Sequence, residues 1–160
     1  RSNARQQELA RHLADCGVDV VIGHHPHVLQ EIEILPSNSP SGNTLIYYSL
    51  SNVMGNMLYS THKSYGNAED AVIARIVIER DSAGNINISE GKYIKTYIWK
   101  DSSSGKVIHR ALPVEAVLKS PDKYPITESV LSLLRDSSAR IDKVLSSSHT
   151  SGSIEIDEYD

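Results

Sequence analysis

Three histidines fall within four consecutive positions, His24, His25 and His27, with Pro26 stiffening the turn between them. They follow Gly23 and the run Val18 to Ile22, apolar except for Asp19, which reads as a buried strand. Imidazole is the commonest metal ligand, and alternate histidines on a stiffened turn can point two nitrogens at one centre. Rings at the mouth of such a strand need partners, because a buried polar group without one costs roughly 1–3 kcal/mol. The pattern predicts half of a metal site, with the other half outside this sequence. A blander reading keeps the same residues as a turn whose rings are hydrogen-bonded to the backbone.

The elements around this turn must place it at the end of a sheet. Ser2 or Asn3 caps a helix that runs to about Ala14, with Leu9, Ala10, Leu13 and Ala14 as its inward stripe and Gly17 ending it. The strand Val18–Ile22 follows at once, a helix-to-strand unit typical of α/β proteins. Val28 to Leu35 alternates in its second half, Pro36 to Asn43 is nearly all breakers, and Thr44 to Leu50 returns, so the pair is expected to form a hairpin. Ser51 to Asn67 reads as a long loop, and loops of that length are usually functional or mobile. Ala71 to Glu79 carries apolar residues on both faces and is expected to be central in a sheet. Ile86 to Trp99 supplies one or two strands, Val107 to Leu112 another. Thr127 caps a helix to about Leu145 with Val130, Leu131, Leu134, Ile141 and Leu145 inward. The fold class is α/β, the sheet mostly antiparallel after its first strand. Residues 1–145 form the domain, and the serine-rich, then acidic 146–160 reads as a flexible tail.

Composition narrows the function. The 160 residues suffice for one domain, and with no Phe and one Trp the interior falls to Leu, Ile, Val and some of the eight Tyr. A formal charge of −4 with no basic cluster argues against nucleic acid as partner. Cys16 stands alone, so no intrachain disulfide is possible. No apolar stretch reaches the roughly 20 residues of a membrane span. The chain opens at Arg1 without Met and reads as a piece of a longer protein. His12, His62, His109 and His149 are expected to be solvated or packed, and Tyr93, Tyr97 and Trp99 to share a strand face as ordinary packing. Neither a nucleophile elbow nor a phosphate-binding glycine loop is present.

Gln7, the block Gly17-Val18-Asp19-Val20-Val21-Ile22-Gly23-His24-His25-Pro26-His27-Val28-Leu29-Gln30, then Glu33 and Tyr48-Ser49-Leu50-Ser51-Asn52 together resemble the CapA family. These are bacterial capsule and poly-gamma-glutamate synthesis proteins, a branch of the calcineurin-like metallophosphoesterases, and the resemblance runs from Arg1 to about Leu112. It implies the C-terminal portion of a four-layer α/β/β/α sandwich in which loops at one edge bind two divalent metals, Mn, Zn or Fe. It gives ligand roles to His25 and His27. His24, whose place relatives often fill with serine, would be a substrate-facing group able to protonate a leaving group. Asn52, Ser49 and Glu33 would lie at the substrate or behind the ligands. Glu31 and Glu33 are close enough in sequence to accept ring N–H groups, and equally read as the solvent face of a strand. Ser51 stands where the family motif has glycine and Val53 where it has phenylalanine. The family's earlier ligands would lie upstream of Arg1, so this piece alone is expected to be inactive. The implied partners are an anionic polymer or phosphoester and, through the exposed sheet, a second copy; the implied location is the outer face of the bacterial membrane. The competing class is a non-catalytic surface or scaffold module on the same fold.

Overall fold

The computed structural model describes residues 1–57 and 66–147, together with the backbone of two short strands beyond them. Helix α1 (Ala4–Asp15) starts where Asn3 and Gln6 satisfy each other: the Asn3 side chain accepts the Gln6 N–H, and the Gln6 side chain accepts the Asn3 N–H, both at 2.9 Å. Gly17, at φ +83°, turns the chain out of the helix. Ala10 and Ala14 are buried, but Leu9, expected on the inward stripe, is 52% exposed. The two alanines let the helix lie close on the sheet, which leaves the longer leucine at its margin.

Strands β1 (Val20–Ile22), β2 (Ile32–Pro36) and β3 (Asn43–Tyr47) build the first sheet, in the order β1-β3-β2 with β7 (His149–Thr150) at its edge. β1 runs parallel to β3 with Val20 opposite Leu45, and β2 and β3 form the expected hairpin with Ile34 opposite Leu45. β4 (Asp70–Arg80), β5 (Ile86–Asp101) and β6 (Ile108–Pro113) form an antiparallel second sheet, to which β8 (Glu155–Glu158) adds in parallel against β5. Among the described residues β4 is therefore an edge strand and not the central one its two apolar faces suggested. Its far half projects past the core, leaving Ile78 61% exposed. Ile86 to Trp99 is a single long strand. Helix α2 (Val114–Lys119), a 3-10 turn at Pro121–Lys123 and helix α3 (Glu128–Leu145) complete the described chain; α2 and the 3-10 turn had no clear signal in the sequence. β7 and β8 fall inside the stretch read as a tail; 148, 151–154 and 159–160 lie outside the described residues. Of the 51–67 loop, 51–57 has no regular structure and 58–65 likewise lies outside.

Period-two alternation sorts the strands onto two faces. Ile32, Ile34, Leu45 and Tyr47 of the first sheet meet Val72 and Ile88 of the second and Ile141 and Leu145 of α3 in one cluster. On the opposite face Leu35, Ile46 and Tyr48 pack on Ala10 and Ala14 of α1. Tyr47 and Tyr48 thus split across the sheet as expected, and both are buried. Tyr97 and Leu112 pack on Val114, Val117, Val130 and Leu134, with Trp99 against them, which fills the aromatic face of β5 with helix. Two polar clamps hold α3 down. Buried Lys95 reaches Asp142 at 2.7 Å and the Ser138 hydroxyl at 3.1 Å. Buried Asp70 accepts from Arg140 Nε at 2.6 Å, Arg140 Nη2 at 2.8 Å and the Ser137 hydroxyl at 2.7 Å.

Candidate metal-binding turn

β1 ends at Ile22, and the histidine turn leaves the sheet there because Gly23 passes directly against β3. Its N–H donates to the Tyr47 carbonyl at 2.7 Å. A Cβ at this position would collide with the Tyr48 carbonyl oxygen and lie 2.9 Å from its carbon, so only glycine fits. Beyond it His25 and His27 take left-handed backbone, φ +96° and +59°, and Ser51 on the facing loop does the same at +67°. Residues with a Cβ seldom hold such angles, and those that do gather at functional sites. The three form a local group: the Ser51 hydroxyl donates to the His27 carbonyl at 3.3 Å.

His24, His25 and His27 are all exposed. The His25 and His27 ring centroids stand 6.4 Å apart, with the planes tilted by 42°. Two imidazoles sharing a cation at about 2.0–2.1 Å from each nitrogen have centroids roughly 5–6 Å apart, so the two rings are near that spacing. Neither is sealed in an apolar pocket. His24 and His25 make no side-chain hydrogen bond among the described residues.

Asn52 decides the state of His27. Its Nδ2 donates to the His27 carbonyl at 3.0 Å and to the Ala68 carbonyl at 3.1 Å, which sets the orientation of the amide. Asn52 Oδ1 must then be the atom 2.8 Å from His27 Nδ1, and an amide oxygen only accepts. Nδ1 therefore carries the proton, and in the neutral ring Nε2 holds the free lone pair, as a metal ligand requires. The donor set fits part of a metal site. It does not close one, since among the described residues no group of three or more His, Cys, Asp or Glu gathers around a cation position.

The two glutamates lie away from the imidazoles. Glu33 accepts the Tyr48 hydroxyl at 2.6 Å on the α1 face of the sheet, and Glu31 accepts the Ser2 N–H at 3.0 Å and the Ser2 hydroxyl at 2.6 Å. Neither carboxylate reaches an imidazole, because alternation along β2 sends Glu33 toward the helix. The acceptor behind His27 is Asn52 instead. Ser49 is buried, and its hydroxyl accepts the Ser51 N–H at 3.2 Å, bracing the left-handed residue. Burial and the bond to Glu33 push the Tyr48 phenol well above its usual range, so it stays a neutral donor. The Ala68 carbonyl had no signal in the sequence; Ser51 had one, as the residue standing in a glycine position.

Fold and turn together define a mixed α/β protein of two small sheets with a histidine-bearing turn at a strand end. Over part of its length the chain matches the CapA/PGA_cap family: residues 1–57 fit the model of the bacterial capsule synthesis protein PGA_cap. It is 30% identical over 113 residues to the PGA biosynthesis protein CapA of Bacillus subtilis (strain 168), covering 69% of this chain and 27% of that protein. It is 38% identical over 52 residues to the capsule biosynthesis protein CapA of Bacillus anthracis, covering 32% of this chain and 11% of that protein. The chain thus spans about a quarter or less of these relatives. No solved structure matches it. No helix among the described residues is long and apolar enough to cross a membrane.

Proposed function

We propose that this chain is the C-terminal part of a CapA-like, metal-dependent hydrolase acting in capsule or poly-gamma-glutamate synthesis at the outer face of the bacterial membrane. The observation that carries it is the Asn52 amide, which holds His27 in the tautomer with Nε2 available. His25 and His27 would hold metal, in a sandwich whose remaining layers and ligands come from outside this chain. Bound divalent metal supplies a hydroxide from water near neutral pH and a clamp for phosphoryl oxygens. This chain's own residues do the rest. Asn52 orients His27, Ser49 and Ser51 brace the loop that carries Asn52, and exposed His24 can give a proton to a leaving oxygen of a phosphoester or an anionic polymer.

A second reading, a non-catalytic binding or scaffold module, is favoured by the incompleteness of the ligand set within the described residues. The two separate on a longer protein containing this chain, assayed with a chromogenic phosphodiester and added Mn or Zn. Hydrolysis lost in His25→Ala and in His27→Ala, with the fold retained, supports the enzyme. Unchanged hydrolysis in both removes the ligand roles, and no hydrolysis in the parent favours the module. Exposed Ile22, Val53 and Met54 lie on the turn's strand and on the loop beyond Asn52, and support self-association or cover by further chain.

A further inference from the structure

We propose that two copies of this chain associate through the free edge of β4, each pairing antiparallel with the other around Val77. The surface shares no residue with the histidine turn and does not depend on how that turn is read.

Backbone direction fixes which groups the edge offers. The Val72 N–H donates at 3.2 Å to the Leu50 carbonyl, on the side of β4 away from β5, while the Glu69 carbonyl accepts from Ile98 of β5 at 2.9 Å. Amide directions alternate along a strand, so Ala74, Ile76, Ile78 and Arg80 also turn their N–H and C=O groups outward. Among the described residues nothing pairs with these groups on that side. The stretch has no proline, and the one register shift against β5, between Val77 and Ile78, places its extra residue, Ser89, on β5. β4 itself stays regular, and a regular free edge is a template for another strand.

The side chains select the strand that fits. Antiparallel pairing centred on Val77 sets Val77 opposite Val77 of the second copy, Ile76 opposite Ile78, and Arg75 opposite Glu79. Ile76 and Ile78, both outward-directed, would exchange N–H···O bonds, and the two Val77 residues would form the closer, non-hydrogen-bonded kind of pair. Opposite charges then meet on both sides of Val77, as a two-fold isologous contact requires. Moving the register by two in either direction sets a charged residue, Arg75 or Glu79, opposite Val77 instead. Arg75 also reaches Glu90 of β5 at 3.3 Å, and a guanidinium has donors enough for both carboxylates. Ile78, 61% exposed, would lie beside the second copy's Ile76, which packs at the margin of the core. Near its turn the β4–β5 ribbon has two strands among the described residues, and such a ribbon is marginal alone. Pairing doubles it.

The test is sedimentation equilibrium of this chain, and of a longer protein containing it, from about 1 to 200 µM, where a reversible dimer with a dissociation constant of about 100 µM or tighter is expected. Arg75→Glu and Glu79→Arg each set like charges opposite one another and should weaken their own dimers about tenfold. Mixing the two variants should restore association to within about threefold of the parent, because each supplies the charge that the other lacks. The mixture separates this effect from loss of the Arg75–Glu90 pair within each chain. In a Cys16→Ser background, Val77→Cys should oxidise to a cross-linked dimer about tenfold faster than Glu79→Cys, whose sulfurs this register holds apart. A chain that stays monomeric at about 200 µM, charge variants that associate as the parent does, a mixture no better than its components, or equal cross-linking at the two positions overturns the proposal. So does a monomeric longer protein beside a dimeric chain, which would mean that its own further strands cover β4.

Discussion

Replacing Ser51 separates backbone strain from side-chain bonding at the turn. Ser51 is buried at φ +67°, and its hydroxyl makes a long 3.3 Å bond to the His27 carbonyl. Left-handed backbone costs a residue with a Cβ about 1–2 kcal/mol. Glycine removes that cost but loses about 0.5–1 kcal/mol more chain entropy on folding than alanine does. Both substitutions forfeit the hydroxyl bond, which at this length contributes about 0.5 kcal/mol. Ser51→Gly should then be equal to or slightly more stable than the parent. Ser51→Ala, which keeps the strain and loses the bond, should be less stable by about 0.5 kcal/mol. The gap between glycine and alanine is the sharper quantity, about 1 kcal/mol, or roughly 2–4 °C in midpoint for a chain of this size. Urea unfolding of the three proteins measures it. If alanine equals or exceeds glycine in stability, the left-handed assignment and the strain argument built on it are both wrong.

Gly23→Ala should destabilise by about 1–3 kcal/mol, since the new methyl collides with the Tyr48 carbonyl just past β3; denaturant midpoints against the parent measure it, and a neutral result refutes the close approach. Arg140→Ala strips two of three donors from a carboxylate that is 4% exposed, and should cost about 3–5 kcal/mol by urea unfolding. Adding Asp70→Asn should restore part of that loss; no restoration would mean the cost is packing and not charge. The Glu31 carboxyl sits below its ordinary value of 4.5 in the folded chain, so its contribution is complete above that value and disappears as pH falls through the lowered one. Ser2→Ala, by removing the 2.6 Å hydroxyl bond, should cost about 1–2 kcal/mol near neutral pH. The difference from the parent should shrink at acid pH; a pH-independent difference would detach Ser2 from the ionised carboxylate.

Residue order alone determined the local elements and the place of the turn. Asn3, one of the two caps the residue order offers, and Gly17 mark the ends of α1, the breakers from Pro36 to Asn43 demand a hairpin, and the periodic leucines and isoleucine of α3 declare its buried side. Each is a matter of neighbours within a few positions, where backbone sterics and side-chain spacing suffice. The histidines were visible for the same reason, being unusual residues at a strand end. Tertiary structure decided what those residues touch. That β4 lies at an edge depends on whether another strand pairs along the side it turns away from β5; none of the described strands does, and no pattern within β4 encodes that. Glu33, two residues beyond Glu31, bonds Tyr48 and not an imidazole, because the face on which α1 docks claims it. Asn52, by contrast, meets His27 across 25 positions of sequence while gripping Ala68 from a third segment. The tautomer of a ring is set by whichever group arrives beside it, and chain folding alone brings that group there.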